Sequence, residues 1–383
     1  MIRYIIAKIA FFFYYQFDIL RGNDGTAYPG RLLMKLCPDF NKRILEGIDC
    51  ILVAGTNGKS TTAKMIATLL EANGIRCVYT FEGCNMYFSI ASSLARQISI
   101  FNKYKIKKAV IECDEPCLKE MAKVVNAKVV VVTMIDVDHG LTYSSVDVVA
   151  NLIKEGIEIA KDAVICINPS NEYNKIIREL PDRKYVYYKM VDDYAVVDDE
   201  KFKIKLALKG KYNIENAAAA LSVAKALSLL NDKSINAISN MEPVYGRFET
   251  IIVNKCSVTM ALIQNPVGTK VVFDEIINND DNKEKILFLG LLNASEYSIR
   301  KEMLDFIDFK LILEKYDKIY VLDNHEIINE YLGGKGINID YDEMLKIVEN
   351  IDEPVMMVLW YDGMMKARSM FANKKYVKDF YLK

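Results

Sequence analysis

The sequence predicts an α/β fold, with a parallel-rich sheet and a P-loop-like glycine turn in a central domain and a Rossmann-like α/β domain after it. Three observations predict it. Short β-rich apolar runs alternate with helical stretches, the pattern of parallel strands joined by crossover helices. A glycine-rich turn follows one of these strands at once and leads into a helix. Beyond Pro243 a second series of apolar runs begins.

Taken in order, residues 1–45 read as an N-terminal arm. Ile5 to Tyr15 is apolar, with Arg3 ahead and Lys8 inside. It is too short to span a bilayer and has no small-residue cleavage site, so it reads as an amphipathic helix packed on the body or lying on a membrane surface. Gly22-Asn23-Asp24-Gly25 breaks it from Pro29-Gly30. The central domain, residues 46–243, opens with the strand Cys50–Ala54 and the helix Thr61–Ala72. Ala109–Glu112, Lys128–Thr133 and Ala163–Ile167 supply further strands, and the alanine-rich helix Ala217–Leu230 closes the domain. Pro243 to Arg247 reads as a hinge. The last domain, residues 244–383, takes strands from Ile286–Leu289, Ile319–Leu322 and Val355–Leu359.

Fifty basic residues against fifty-one acidic leave a net charge of −1. That balance gives no electrostatic footprint for nucleic acid, which is not expected as a partner. Eight cysteines are scattered without a Cys-x-x-Cys pair, so no zinc is expected. The same scatter places the chain in a reducing compartment, the cytoplasm.

The chemistry concentrates in Gly55-Thr56-Asn57-Gly58-Lys59-Ser60-Thr61-Thr62. Backbone N–H groups of such a loop, at a helix start, cradle phosphate oxygens. Lys59 can neutralise the β- and γ-phosphates, and the Ser60 hydroxyl can ligate Mg²⁺. The longer G-x-x-x-x-G-K-[ST] pattern would need glycine where Val53 stands, so this is a shorter form of the loop.

Glycine-threonine-asparagine-glycine-lysine followed by hydroxyl residues resembles the signature of the Mur ligase family, relatives of folylpolyglutamate and cyanophycin synthetases. Further residues agree in the same order. Glu112 resembles the family's acidic ligand of a second Mg²⁺, and Asp138-His139 its Asp-His pair, whose histidine holds that ion. Asn213 and Asn216 resemble the segment that holds adenine, and Gly246-Arg247-Phe248-Glu249 the hinge stretch whose arginine reaches the nucleotide phosphates. Lys154 stands where many relatives carry a carbamylated lysine on the second Mg²⁺. The resemblance thus implies ATP and Mg²⁺, catalytic Lys59, Glu112, His139 and Arg247, and amide formation through an acyl phosphate.

Within the family, Gly25–Arg31, Gly83-Cys84-Asn85-Met86, Glu112-Cys113-Asp114-Glu115 and Asn265-Pro266-Val267-Gly268 resemble segments of the MurT branch. That likeness implies amidation of a D-glutamate in a lipid-linked peptidoglycan precursor, a GatD-like glutaminase partner, and work at the inner face of the membrane. The sequence departs from MurT in lacking the four-cysteine ribbon and in carrying His139 where MurT has glutamine. Met134 stands where the family has asparagine. No Asp-x-Ser-Trp occurs near Ile299–Asp308, where Arg300 and Glu302 stand instead. A stand-alone ligase joining an amine to another carboxylate, and a non-catalytic nucleotide-binding module, are the alternative readings.

Some residues carry two readings. Asn213 also suits a helix N-cap, and Asn216 a buried amide. Asn168-Pro169-Ser170-Asn171 resembles a MurT turn and equally a plain one. Asp114 and Glu115 are either neighbours of the site or a solvated acidic turn.

Overall fold

The computed structural model describes residues 2–20, 27–80, 83–99, 102–136, 145–278, 284–291, 303–322 and 325–377. It divides into two compact units, one running from the N-terminus through Glu242 and one from Pro243 onward.

The first unit begins with α1 (Ile2–Leu20), α2 (Ala27–Leu36) and α3 (Phe40–Leu45). Its sheet follows: β1 (Asp49–Ala54), β2 (Cys77–Tyr79), β3 (Lys108–Glu112), β4 (Asn126–Val132), β5 (Val164–Ile167), β6 (Lys184–Val191), β7 (Tyr194–Val197) and β8 (Glu200–Lys203). The spatial order is β2-β3-β1-β4-β5-β6-β7-β8. The strands from β2 to β6 pair in parallel, and β7 and β8 add an antiparallel ribbon at one edge. β1 is nearly continuous in apolar residues because both its faces are covered; Cys50 through Ala54 are all buried.

The crossover helices are α4 (Lys59–Ala72), α5 (Tyr87–Gln97), α6 (Glu115–Ala122) and α7 (Val146–Ile159); α8 (Lys175–Arg178) follows β5, and α9 (Tyr212–Ala226) and α10 (Asp232–Ser239) follow β8. α4 packs beside α9 and α10, while α6 and α7 pack together. Gly156 permits the second contact, since a Cβ there would lie 2.6 Å from Leu118 Cγ.

The second unit holds β9 (Arg247–Val253), β10 (Cys256–Ile263), α11 (Pro266–Asn278), β11 (Ile286–Gly290), α12 (Phe309–Lys315), β12 (Lys318–Val321), α13 (His325–Tyr331), β13 (Ile337–Asn338), α14 (Tyr341–Asn350), β14 (Val355–Trp360) and α15 (Tyr361–Asn373). Its order is β13-β12-β11-β14-β10-β9, parallel except for the edge strand β9. Leu287, Leu289, Met356 and Val358 face one apolar cluster, and Phe288, Met357 and Leu359 the other, so the alternation of each strand feeds both helical layers. Asn265 starts α11 in the manner of a cap, its side-chain oxygen accepting from the Gly268 N–H at 2.7 Å.

The structure adds strands that the sequence reading did not isolate. β2 is three residues long, β6 to β8 are joined by hairpins at the sheet edge, and β9 and β10 form a further hairpin. The alanine-rich helix starts at Tyr212 rather than Ala217, and α10 follows it before the unit ends.

The Gly30 contact is the tightest approach between helices in the first unit that the glycines record. A Cβ at Gly30 would lie 2.0 Å from the Phe88 carbonyl oxygen on α5. Alanine at a helical position ordinarily gains about 1 kcal/mol over glycine, whereas forcing a methyl into packed backbone costs about 1–3 kcal/mol. The clash is with backbone and no rotamer relieves it, which puts the cost at the upper end, so Gly30→Ala should lower stability by about 2 kcal/mol net. A urea denaturation midpoint that rises instead would show that α2 shifts freely.

Candidate nucleotide site

The site forms at the carboxyl ends of three adjacent strands, β3, β1 and β4. Connections diverge there: α4 leads from β1 to β2 on one side, and β4 leads on to β5 on the other. Open parallel sheets bind ligands at such switch points.

The loop from Gly55 to Gly58 is fixed by φ angles and close approaches that only glycine accommodates. Gly55 has φ +134°, and a Cβ there would lie 2.3 Å from Thr133 Oγ1. Gly58 has φ +87°, and a Cβ there would lie 2.4 Å from Asn216 Oδ1. The loop is tied to the residues after β4. The Thr56 N–H donates to the Met134 carbonyl at 2.7 Å, and the Thr56 hydroxyl donates to the Asp136 carbonyl at 3.1 Å. Met134 therefore serves the loop through its backbone, which explains how a methionine can stand there.

α4 begins at Lys59, with Gly58 as its N-cap. The first N–H groups of a helix lack intrahelical acceptors and carry the positive end of its dipole. Lys59 is buried and folds back over the loop, its Nζ 2.5 Å from the Gly55 carbonyl oxygen and 3.1 Å from that of Thr56. Next to it, Ser60 Oγ donates to Glu112 Oε2 at 2.8 Å. Glu112 is buried at the end of β3, and its N–H donates to Thr80 Oγ1 at 2.8 Å. A hydroxyl and a carboxylate oxygen meeting beside a phosphate-type loop form an oxygen donor set suited to Mg²⁺.

Asn213 and Asn216 reach the same place from α9. Asn216 Oδ1 accepts from the Thr62 hydroxyl at 3.5 Å, and its amide donates to Asn213 Oδ1 at 3.0 Å. The Asn213 amide donates in turn to the Lys209 carbonyl at 2.6 Å. Both are buried within the helix and the N-cap residue is Lys211, so the capping reading of Asn213 does not hold. The segment 168–171 is more than a plain turn. The Asn171 amide donates to the Ile135 carbonyl, and the Asn168 amide donates to Glu215 on α9, at 2.8 and 2.6 Å.

The other expected residues fall elsewhere. Asp138 and His139 lie outside the described residues, as do Arg300 and Glu302. Lys154 sits on α7 and pairs with Glu158 Oε1 at 3.8 Å. Arg247 belongs to the second unit, where its guanidinium donates to the Leu262 carbonyl and to Gln264 Oε1. All eight cysteines are free thiols.

Glu115 corrects the solvated reading of the acidic turn. It is fully buried, and its Oε1 lies 3.8 Å from Lys59 Nζ. Burial pushes its carboxyl up to about 8, against the opposing pull of the Lys59 ammonium. At neutral pH a protonated Glu115 leaves the lysine charge uncancelled and available to an anion. The sequence reading also missed Thr80, which closes β2, and Thr133, whose hydroxyl donates to the Ala54 carbonyl at 3.1 Å. A hydroxyl residue directly after each strand is the signal that would have found both.

Residues 53–224 match the family described as the Mur ligase middle domain. The chain is 26% identical over 306 residues to the lipid II isoglutaminyl synthase (glutamine-hydrolyzing) subunit MurT of Staphylococcus aureus (strain COL), covering 64% of this chain and 68% of that one. Among solved structures, MurF from Acinetobacter baumannii superposes with a TM-score of 0.69 at 15% identity, over 89% of this chain and 80% of that one. Mycobacterium tuberculosis folylpolyglutamate synthase, complexed with ADP and AMPPCP, superposes with a TM-score of 0.64 at 16% identity, over 88% and 93%. Residues 53–224 are thus similar to the Mur ligase middle domain, and the fold is that of MurF and folylpolyglutamate synthase. In sequence the chain is similar to the MurT subunits.

The buried carboxyl generates a pH-dependence. Between its ordinary value of 4.5 and about 8 the unfolded chain has released this proton while the folded chain retains it. The contribution of Glu115 to stability therefore falls as pH rises through that window and is level above it. The gap in thermal midpoint between Glu115→Gln and the parent should move in favour of the variant from pH 5 to pH 8. A gap that stays constant would show that Glu115 titrates normally.

Proposed function

We propose that this chain uses ATP to activate a carboxylate as an acyl phosphate and converts it to an amide. It is read as an ATP-dependent ligase acting on peptidoglycan precursors. In its finer form the reading is MurT-like: amidation of a D-glutamate α-carboxyl on a lipid-linked precursor at the inner face of the membrane, with ammonia from a GatD-like glutaminase.

The observation that carries the reading is the meeting of Ser60 Oγ with Glu112 Oε2 beside the buried ammonium of Lys59. A carboxylate is a poor electrophile at neutral pH, and transfer of a phosphoryl group supplies the missing leaving group. The reaction builds negative charge on the transferring oxygens, which fixed cations stabilise without reorganising. Lys59 is one such cation, held in the loop by backbone carbonyls. Ser60 and Glu112 are the residues that would hold Mg²⁺, joined by His139 on family likeness. When bound, that ion neutralises phosphate charge and polarises the phosphoryl group. Asn216, locked against Gly58 and Thr62, fixes the far side of the loop, and with Asn213 is assigned to the base. Arg247 is assigned to the phosphates on likeness alone.

The second reading, a stand-alone ligase, is favoured by one sequence fact: the stretch around Ile299–Asp308 lacks the aspartate segment through which MurT completes its partner's site. One assay separates the readings. Purified full-length protein is given ATP, Mg²⁺ and candidate carboxylates, with ammonium, with glutamine plus a glutaminase, or with amino acids. ADP and a new amide from ammonium support the MurT-like form, and product only with an amino acid supports the stand-alone form. Nucleotide binding without ADP or amide in any arm would sink both. Lys59→Ala should lower turnover by about 10²-fold or more with an unchanged circular dichroism spectrum.

A further inference from the structure

α1 has two apolar faces; among the described residues one packs against the fold and the other is exposed. Ala7, Phe11, Tyr15 and Asp18 are buried, following the i, i+4 and i+3 spacing of one stripe. The helix is held firmly along that stripe. Tyr4 stacks on Phe40 with ring centroids 5.2 Å apart, and the Arg96 guanidinium lies 4.8 Å from the Tyr15 ring centroid. Arg3 donates to the Leu36 carbonyl and Lys8 to the Ile98 carbonyl.

The opposite stripe runs through Ile2, Ile6, Ile9, Phe13 and Phe17, with Phe12 beside it. All are exposed, Ile2 by 76% and Phe13 by 69%. Six large apolar side chains exposed along one helix make the kind of contiguous apolar surface that marks an interaction site. Because Lys8 is drawn back onto the body, the stripe carries no charge. Cations stand around it instead. Arg3 flanks it on α1 itself, and α2, packed alongside, exposes Tyr28, Arg31 and Lys35 on one face. Residues 1–45 hold seven Lys/Arg and three Asp/Glu, a net +4 within a chain whose net charge is −1.

From this geometry we infer that the outer face of α1 docks on an anionic lipid surface, its isoleucines and phenylalanines among the acyl chains and the α1–α2 cations at the headgroups. Among the described residues no helix is long and apolar enough to cross a membrane, so α1 lies in the interface. An uncharged apolar stripe bordered by cations is complementary to a bilayer of acidic lipids. A second copy of this chain would set the same cations against each other. The inference does not depend on the ligase reading.

The test is flotation of the full-length chain with vesicles of phosphatidylglycerol and phosphatidylethanolamine, without nucleotide or substrate. Binding should fall by about tenfold or more in Ile9→Glu/Phe13→Glu, whose thermal midpoint should match the parent because both positions are exposed. It should also weaken on pure phosphatidylcholine vesicles and in high salt. Absence of binding by the parent would overturn the inference, as would binding indifferent to the double substitution. Analytical ultracentrifugation showing that the face instead pairs two copies, with no vesicle association, would overturn it too.

Discussion

The site depends on the parallel pairing of β1 with β3 on one side and β4 on the other. Val53 stands opposite Glu112, and Ala54 opposite Val132. With that register fixed, the turn after β1, the carboxylate ending β3 and the backbone after β4 arrive at one level. A slip of one residue in β3 would turn Glu112 to the other face of the sheet and separate it from Ser60. The hydrogen bond from the Glu112 N–H to Thr80 opposes such a slip, because it ties the end of β3 to the end of β2.

Around this register the charges are arranged by burial as much as by pairing. Lys59 is enclosed and satisfied by carbonyl oxygens, and the acid nearest to it is kept neutral by its own burial. A surface Lys–Glu pair would have spent the lysine's charge on its neighbour. Here the positive potential of the helix start and of the ammonium add in the same direction, toward the loop.

Much of this was legible in the sequence where composition and position coincide. The five apolar residues Cys50–Ala54 followed by the glycine turn announce strand, loop and helix in order, and Glu112 stands out as an acid ending an apolar run. The edge strands β6–β8 were not legible, because β6 mixes lysines and tyrosines with apolar residues and β7 and β8 follow it through hairpins with no crossover helix. Glu115 was left open for a related reason: acids after a strand suit a solvated turn as well as a site, and only the packing of α6 reveals that its first residue points inward. The MurT-like segments gained a physical meaning from the fold. Gly30 touches the Phe88 carbonyl, Arg31 lies over the Phe88 ring, and the Asp114 N–H donates to the Asn85 carbonyl. The three matches in the first unit therefore form one connected patch.

That patch has a mechanical consequence. α1 rests on α2, α2 packs its Gly30 against the Phe88 backbone of α5, and the segment leading into α5 is bonded through Asn85 to the acidic turn beside Lys59. The helix α1 and the turn beside Lys59 are thereby joined by direct contacts inside one compact unit.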